Sequence, residues 1–205
     1  MEIERFLARI EGKVSEIERE FQRIQGLILT EDDLKSILFS KLMSIPEFFS
    51  PRQTRDSNIY ATALHTEVSF FNEAEELRII PDISIIEPEH LSILHFFNDD
   101  GLDFPSKQYS FGGKAIIFEL KFIRNKNGIT YSKFRNEILK DFEKIQELFQ
   151  RLDNLDMSND VFCYFIIFNK TDIYCNQFQE FLETHRNDAR YKIIYATADV
   201  NFNNE

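Results

Sequence analysis

The sequence predicts an α/β fold: a central mixed β-sheet flanked by helices, with an N-terminal heptad-patterned helix. Three observations predict it. The elements fall in the order helix, helix, three strands, helix, strand, helix, strand. A strand–helix–strand passage after a three-strand meander implies a sheet of mixed direction with helices on its faces. Val161 to Phe168 is an unbroken apolar run, as expected of a strand covered on both sides. The composition, 43% hydrophobic with 22 Phe and no Trp, can fill a sizeable core, chiefly with phenylalanine. At 205 residues the chain is one domain with a helical appendage, divided here into 1–28 and 29–205.

Residues 2–25 predict the first helix. Ile3, Leu7, Ile10, Val14, Ile17, Phe21 and Ile24 recur at alternating spacings of four and three, an a/d seam of about three heptads. Gly26 is placed to end it. Two readings of the seam stay open: packing on the chain's own domain, or pairing in a homodimer through residues 2–25. The second helix opens at Thr30, a good N-cap. Glu31, Asp32 and Asp33 follow, acids favoured in a first turn. It runs through Leu34, Ile37, Leu38 and Leu42 to about Met43, and Pro46 closes the segment. Residues 46–60 read as a loop from their prolines and polar run.

The sheet follows. Ala63 to Phe71 is a first strand, residues 72–76 a polar turn, and Leu77 to Ile86 a second strand ended by Glu87-Pro88. Residues 89–97 fit a short helix or a strand. Asn98 to Ser106 is a loop. The third strand is 114–123, and Asn125 to Gly128 turn the chain into a long amphipathic helix from about Tyr131 to Leu152. Val161 to Phe168, a helix over Gln177–His185 and a strand over Tyr191–Ala198 complete the order.

Two of these strands carry ionised residues inside apolar runs, a costly placement unless the charge is paired or holds a metal. In Ala115–Ile123 the alternation of a strand sends Glu119 and Lys121 to one face, with Phe118, Leu120 and Phe122 on the other. Asp82 arrives from the preceding strand. An acid and a base side by side, joined by a second acid, is the layout of a metal-dependent phosphodiesterase. Mg²⁺ takes hard oxygen ligands and keeps several waters. Asp82, Glu119 and the backbone carbonyl of Leu120 therefore suffice as a protein ligand set, with Mn²⁺ as a substitute ion. Lys121 would position the attacking water and offset developing negative charge. Glu67, on the face it shares with His65 and Ser69, is the natural third acid. Pro81 within a strand implies an edge or a bulge, and bulges often lie beside active sites.

Glu67, then Pro81-Asp82, then Glu119-Leu120-Lys121 resembles the PD-(D/E)XK nuclease superfamily. The resemblance covers roughly residues 30–200. It implies a restriction-endonuclease-like core with elements in the order α-β-β-β-α-β, the order already read from pattern. It also implies Asp82 and Glu119 as metal ligands, Lys121 as catalytic and Glu67 as a more variable additional acid. The family's polar position on the following helix has Tyr131 and Lys133 as candidates. The function implied is that of a Mg²⁺-dependent endonuclease acting on nucleic acid, DNA above RNA. The alternative is a catalytically inactive nuclease-like domain that serves as a protein- or nucleic-acid-interaction module.

The net charge of −11 counts against broad duplex binding, which draws on Lys and Arg. Lys107, Lys114, Lys121, Arg124, Lys126 and Lys133 nevertheless gather around the predicted site, and read equally as a solvated basic face or as a binding groove. Cys163 and Cys175 form no metal-type pair, and Cys163 reads as a buried thiol of a reducing cytoplasm. The four His are scattered, and a hydrogen-bonded structural role suits His65 best. No apolar run approaches the roughly 20 residues a membrane helix needs. The first residues show no signal-peptide pattern, so the expected location is cytoplasmic.

Overall fold

The computed structural model describes residues 4–24, 26–56, 58–71, 77–93, 109–111, 113–157, 161–185 and 188–198. Helix α1 spans Glu4–Arg23, α2 Glu31–Met43 and the single turn α3 Pro46–Phe49. A small antiparallel ribbon joins β1 (Arg52–Gln53) to β2 (Tyr60–Ala61). Next come β3 (Leu64–Thr66), β4 (Phe70–Phe71), β5 (Leu77–Ile79) and β6 (Ile83–Ile86). A 3₁₀ turn at Pro88–His90 leads to β7 (Leu91–Ile93), which pairs with β8 (Tyr109–Phe111). Strand β9 is Ala115–Ile123. Helix α4 (Tyr131–Lys133) runs through a π-helical stretch, Phe134–Leu139, into α5 (Lys140–Asn154). Strand β10 (Val161–Asn169), helix α6 (Asn176–His185) and strand β11 (Tyr191–Thr197) follow.

The main sheet has five strands in the order β11-β10-β9-β6-β3. Strands β9, β10 and β11 run parallel, and β6 and β3 add on antiparallel. It is mixed and flanked by helices, as predicted. One face packs on α1 and α2 through Ile83, Ile85, Phe118, Leu120, Tyr164 and Ile166. The other packs on α5 and α6 through Ile117, Cys163, Phe165, Ile167 and Ile193. Alternation along each strand feeds these two layers, each large side chain contributing about 1.5–3 kcal/mol on full burial.

Helix α1 belongs to the first layer. Phe6, Ile10, Val14, Ile17 and Phe21 are buried there, and Phe21 packs against Phe122 and Phe168 of the sheet at ring-centroid distances of 6.1 and 5.2 Å. The stripe drifts from the heptad seam toward a 3.6-residue period: Phe6 replaces Leu7 as the buried position, and Ile24 is exposed. Helix α1 therefore packs on its own domain. Helix α2 starts where expected. The Thr30 hydroxyl accepts from the Asp33 amide at 3.1 Å and the Asp33 carboxylate accepts from the Thr30 amide at 3.0 Å, a reciprocal cap.

The structure corrects several sequence expectations. Each long strand predicted over 63–71 and 77–86 is broken in two. Glu67 takes a left-handed φ of 54°, which ends the period-2 alternation after Thr66. Pro81 has no N–H to donate, so the ladder lapses over Ile80–Asp82. The hairpin pairing survives on either side, as Leu64↔Ile85 and Phe70↔Ile79. Pro46 opens α3 where it was expected to close the segment, and β1 occupies part of the expected loop. The stretch 89–97 begins as a 3₁₀ turn and then a strand. Residues 94–97, the loop 98–106 and the turn 72–76 lie outside the described residues. Gly128 sits at φ 62°, and a Cβ there would come within 1.9 Å of the Ile173 carbonyl oxygen, so the 125–128 turn requires glycine.

Candidate active site

The site forms where β9 outruns its neighbour. Pairing of β6 with β9 runs from Ile86↔Ala115 to Ile83↔Phe118 and stops at the break beside Pro81. Beyond Phe118, β9 keeps its ladder with β10 alone, so the amides of Leu120 and Phe122 on the vacated side need other acceptors. Carboxylates supply them. Asp82 Oδ2 accepts from the Leu120 amide at 2.9 Å, and Glu31 Oε2 accepts from the Phe122 amide at 3.1 Å. Asp82 comes from the broken hairpin and Glu31 from the capped first turn of α2.

Lys121 is the centre of the cluster. Its Nζ lies 3.2 Å from Glu119 Oε1, 2.9 Å from Asp141 Oδ2 of α5 and 3.4 Å from Glu31 Oε1. The helical layers on the two sides of the sheet thus meet at one ammonium. Asp141 also binds Lys144, one turn further along its helix. A second lysine closes the other side: Lys35 of α2 sits 3.6 Å from Asp82 Oδ1, 3.2 Å from Glu67 Oε1 and 3.5 Å from Asp32 Oδ1. Glu67 joins Asp82 through its backbone as well, its amide donating to the Asp82 carbonyl at 3.3 Å.

Acids outnumber bases among the described contacts. Six carboxylates (Glu31, Asp32, Glu67, Asp82, Glu119, Asp141) meet three ammonium groups (Lys35, Lys121, Lys144). Glu119 and Lys121 are the deepest, with side chains 13% and 10% exposed, against 64% for Glu67. Burial pushes the Glu119 carboxyl up to about 8 despite the adjacent Lys121, with Asp82 and Asp141 adding to the rise. Burial alone would lower the Lys121 ammonium, but the carboxylates of Glu119, Glu31 and Asp141 reverse that and hold it above its ordinary value. Burial would raise Asp141, and hydrogen bonds from Lys144 and Lys121 more than offset it, leaving its carboxyl lowered.

Clustered carboxylate oxygen suits a hard divalent cation, and Mg²⁺ needs only one or two carboxylates because it retains its waters. Asp82 and Glu119 bring two carboxylates to this end of β9, near enough for Asp82 to add to the rise of Glu119. Three ligand atoms mutually within 4.8 Å occur, among the described residues, elsewhere: at Glu87, Glu89 and His90 of the 3₁₀ turn, where His90 Nε2 is 3.5 Å from Glu87 Oε2.

Of the residues singled out in the sequence, Asp82, Glu119 and Lys121 come together, with Leu120 buried between the last two. Glu119 and Lys121 share a face, and Phe118, Leu120 and Phe122 fill the opposite layer. Glu67 reaches the cluster at its exposed rim, through Lys35. Tyr131 is exposed and Lys133 pairs with Glu137, so neither joins the described contacts of the site; Asp141 is the contribution of that helix. His65 bonds the Thr62 carbonyl at 2.8 Å, and burial lowers its pKa, which suits a structural role. Lys114 is half-buried, Arg124 and Lys126 are exposed, and Lys107 lies outside the described residues.

Sequence reasoning missed Glu31, Lys35 and Asp141. The Glu31–Lys35 spacing is one helical turn, a signal that was legible, but acids in a first turn are equally explained by the helix dipole. Comparison with protein-family models, with curated proteins and with solved structures yields no match to this chain. No helix among the described residues is long and apolar enough to cross a membrane.

Proposed function

We propose that the chain is a Mg²⁺-dependent phosphodiester hydrolase, a DNA endonuclease on a restriction-endonuclease-like core. The observation that carries this is the meeting of Asp82, Glu119 and Lys121 on the overhang of β9, where the acid of the Pro81 break caps the Leu120 amide beside the Glu119–Lys121 pair. The topology supports it: an antiparallel meander of β3, β6 and β9, then a helix, then β10 parallel to β9, is the order the superfamily resemblance implies.

Asp82 and Glu119 would hold the cation, with the Leu120 carbonyl as a third ligand. The cation supplies charge stabilisation at the phosphoryl oxygen and acidifies a bound water. The chain's own residues do the rest. Glu31 and Asp141 clamp Lys121 from two helices, so its ammonium is preorganised to orient the attacking water and to meet developing negative charge. The Leu120 amide fixes Asp82 in rotation.

Plasmid cleavage with Mg²⁺ or Mn²⁺ tests the proposal. Lys121→Met and Asp82→Asn, which keeps an acceptor for the Leu120 amide, should each lower the rate by about 10²–10³-fold. A wild type as inert as both variants across duplex, branched and single-stranded DNA and RNA would sink the hydrolase. A second reading, the inactive interaction module, takes support from the net charge of −11 and would then stand alone.

A further inference from the structure

We propose that Lys35 is the site's internal counter-ion: its ammonium bridges Asp82 and Glu67, gives up Asp82 when a divalent cation binds, and then grips the substrate phosphate. The inference rests on the phosphodiesterase reading of the same site.

It follows from how the two oxygens of Asp82 are used. Oδ2 is taken by the Leu120 amide at 2.9 Å, and Oδ1 faces Lys35 Nζ at 3.6 Å. A cation entering on Oδ1 would meet the ammonium almost in contact, and in a half-buried site that repulsion is poorly screened. One of the two must leave. Lys121 is not the mobile one, because two of its partners, Glu119 and Asp141, are themselves buried at 13% and 16% exposed. Lys35 is placed to move. Its other partners are solvent-facing, Glu67 at 64% and Asp32 at 86% exposed.

Its helix stays put during such a move. Leu34 and Leu38 anchor α2 in the core at 1% exposure each, so the flexible four-carbon stem of Lys35 turns about a fixed base. Released from Asp82, the ammonium remains at the rim of an otherwise acidic site, where an incoming phosphate needs a positive charge. The two lysines then divide the work. Lys121 is fixed beside the reacting centre, and Lys35 exchanges one anion for another. Lys35 is a substrate-binding residue in this scheme.

Calorimetric titration of Mn²⁺ into the full chain tests the exchange, comparing wild type with Lys35→Met, Lys35→Gln and Lys35→Arg. The affinity for a short DNA duplex in Ca²⁺, measured over a range of salt concentrations, tests the phosphate contact. Lys35→Met and Lys35→Gln should bind Mn²⁺ about three- to fivefold more tightly, as loss of a partly exposed competing ion pair allows. Their DNA affinity should fall, and the slope of log affinity against log salt should drop by about one. Lys35→Arg should keep both properties near wild type. Unchanged or weaker Mn²⁺ binding in both uncharged variants, with cooperative melting retained, overturns the proposal, and so does an unchanged salt slope. Failure of the phosphodiesterase reading looks different: wild type and Asp82→Asn would then take up Mn²⁺ alike, or not at all, whatever stands at position 35.

Discussion

Glu119 carries a carboxyl held far from its behaviour in water. Its carboxyl is raised from an ordinary 4.5 to about 8 by burial, so between those values the folded chain holds a proton that the unfolded chain has lost. Folding stability therefore falls as pH rises through that window and levels off above it. The Glu119→Gln variant lacks this titration. In metal-free buffer it should equal wild type near pH 5 and exceed it near pH 8 by on the order of a few kcal/mol, since a tenfold change in a protonation equilibrium is worth about 1.4 kcal/mol. Chemical denaturation at the two pH values checks this; parallel curves for the two proteins would refute it. Asp82 makes the opposite demand. Its carboxylate caps a ladder amide, so Asp82→Ala would confound a folding defect with a loss of chemistry, and the Asn variant avoids that.

At the scale of elements, the N-terminal helix and the broken hairpin matter most. Helix α1 places five large apolar side chains in the layer that also packs Leu120 and Phe122. Ile10→Ala, at 0% exposure, should cost about 2–5 kcal/mol by leaving a cavity. It should do so independently of protein concentration, because the cavity lies within one chain. A loss of stability that disappears on concentrating the protein would show that α1 also serves an interface between copies. The hairpin break delivers Asp82 and Glu67 to one lysine, and the capped start of α2 delivers Glu31 and Lys35 from the other side. The clustered charges thus gather at the points where regular strand pairing lapses.

For the whole molecule, period and order were legible in the sequence. β9, β10, α6 and β11 lie within one or two residues of expectation, because long runs of strict period reflect burial on a fixed face. Asp82, Glu119 and Lys121 were legible for the same reason, as charges out of keeping with apolar runs. What escaped depends on phase rather than period. Asp141 faces the cluster only after the π-helical stretch Phe134–Leu139, whose wider turn shifts every later residue around the helix axis; a 3.6-residue count cannot see that shift. Glu67 was placed on a strand face, but its left-handed backbone took it off the strand.

The overhang of β9 has a spectroscopic consequence. Leu120 and Phe122 donate their backbone protons to Asp82 and Glu31, so each proton resonance carries a record of the charge on one carboxylate. In a ¹⁵N-labelled sample, added Mg²⁺ should displace these two peaks while those of Ala115–Phe118, secured on both sides by neighbouring strands, stay in place. Peaks that all move together, or not at all, would place the ion elsewhere. The backbone of a single strand then serves as a built-in electrometer, reading the occupancy of the acids at its end without any foreign probe.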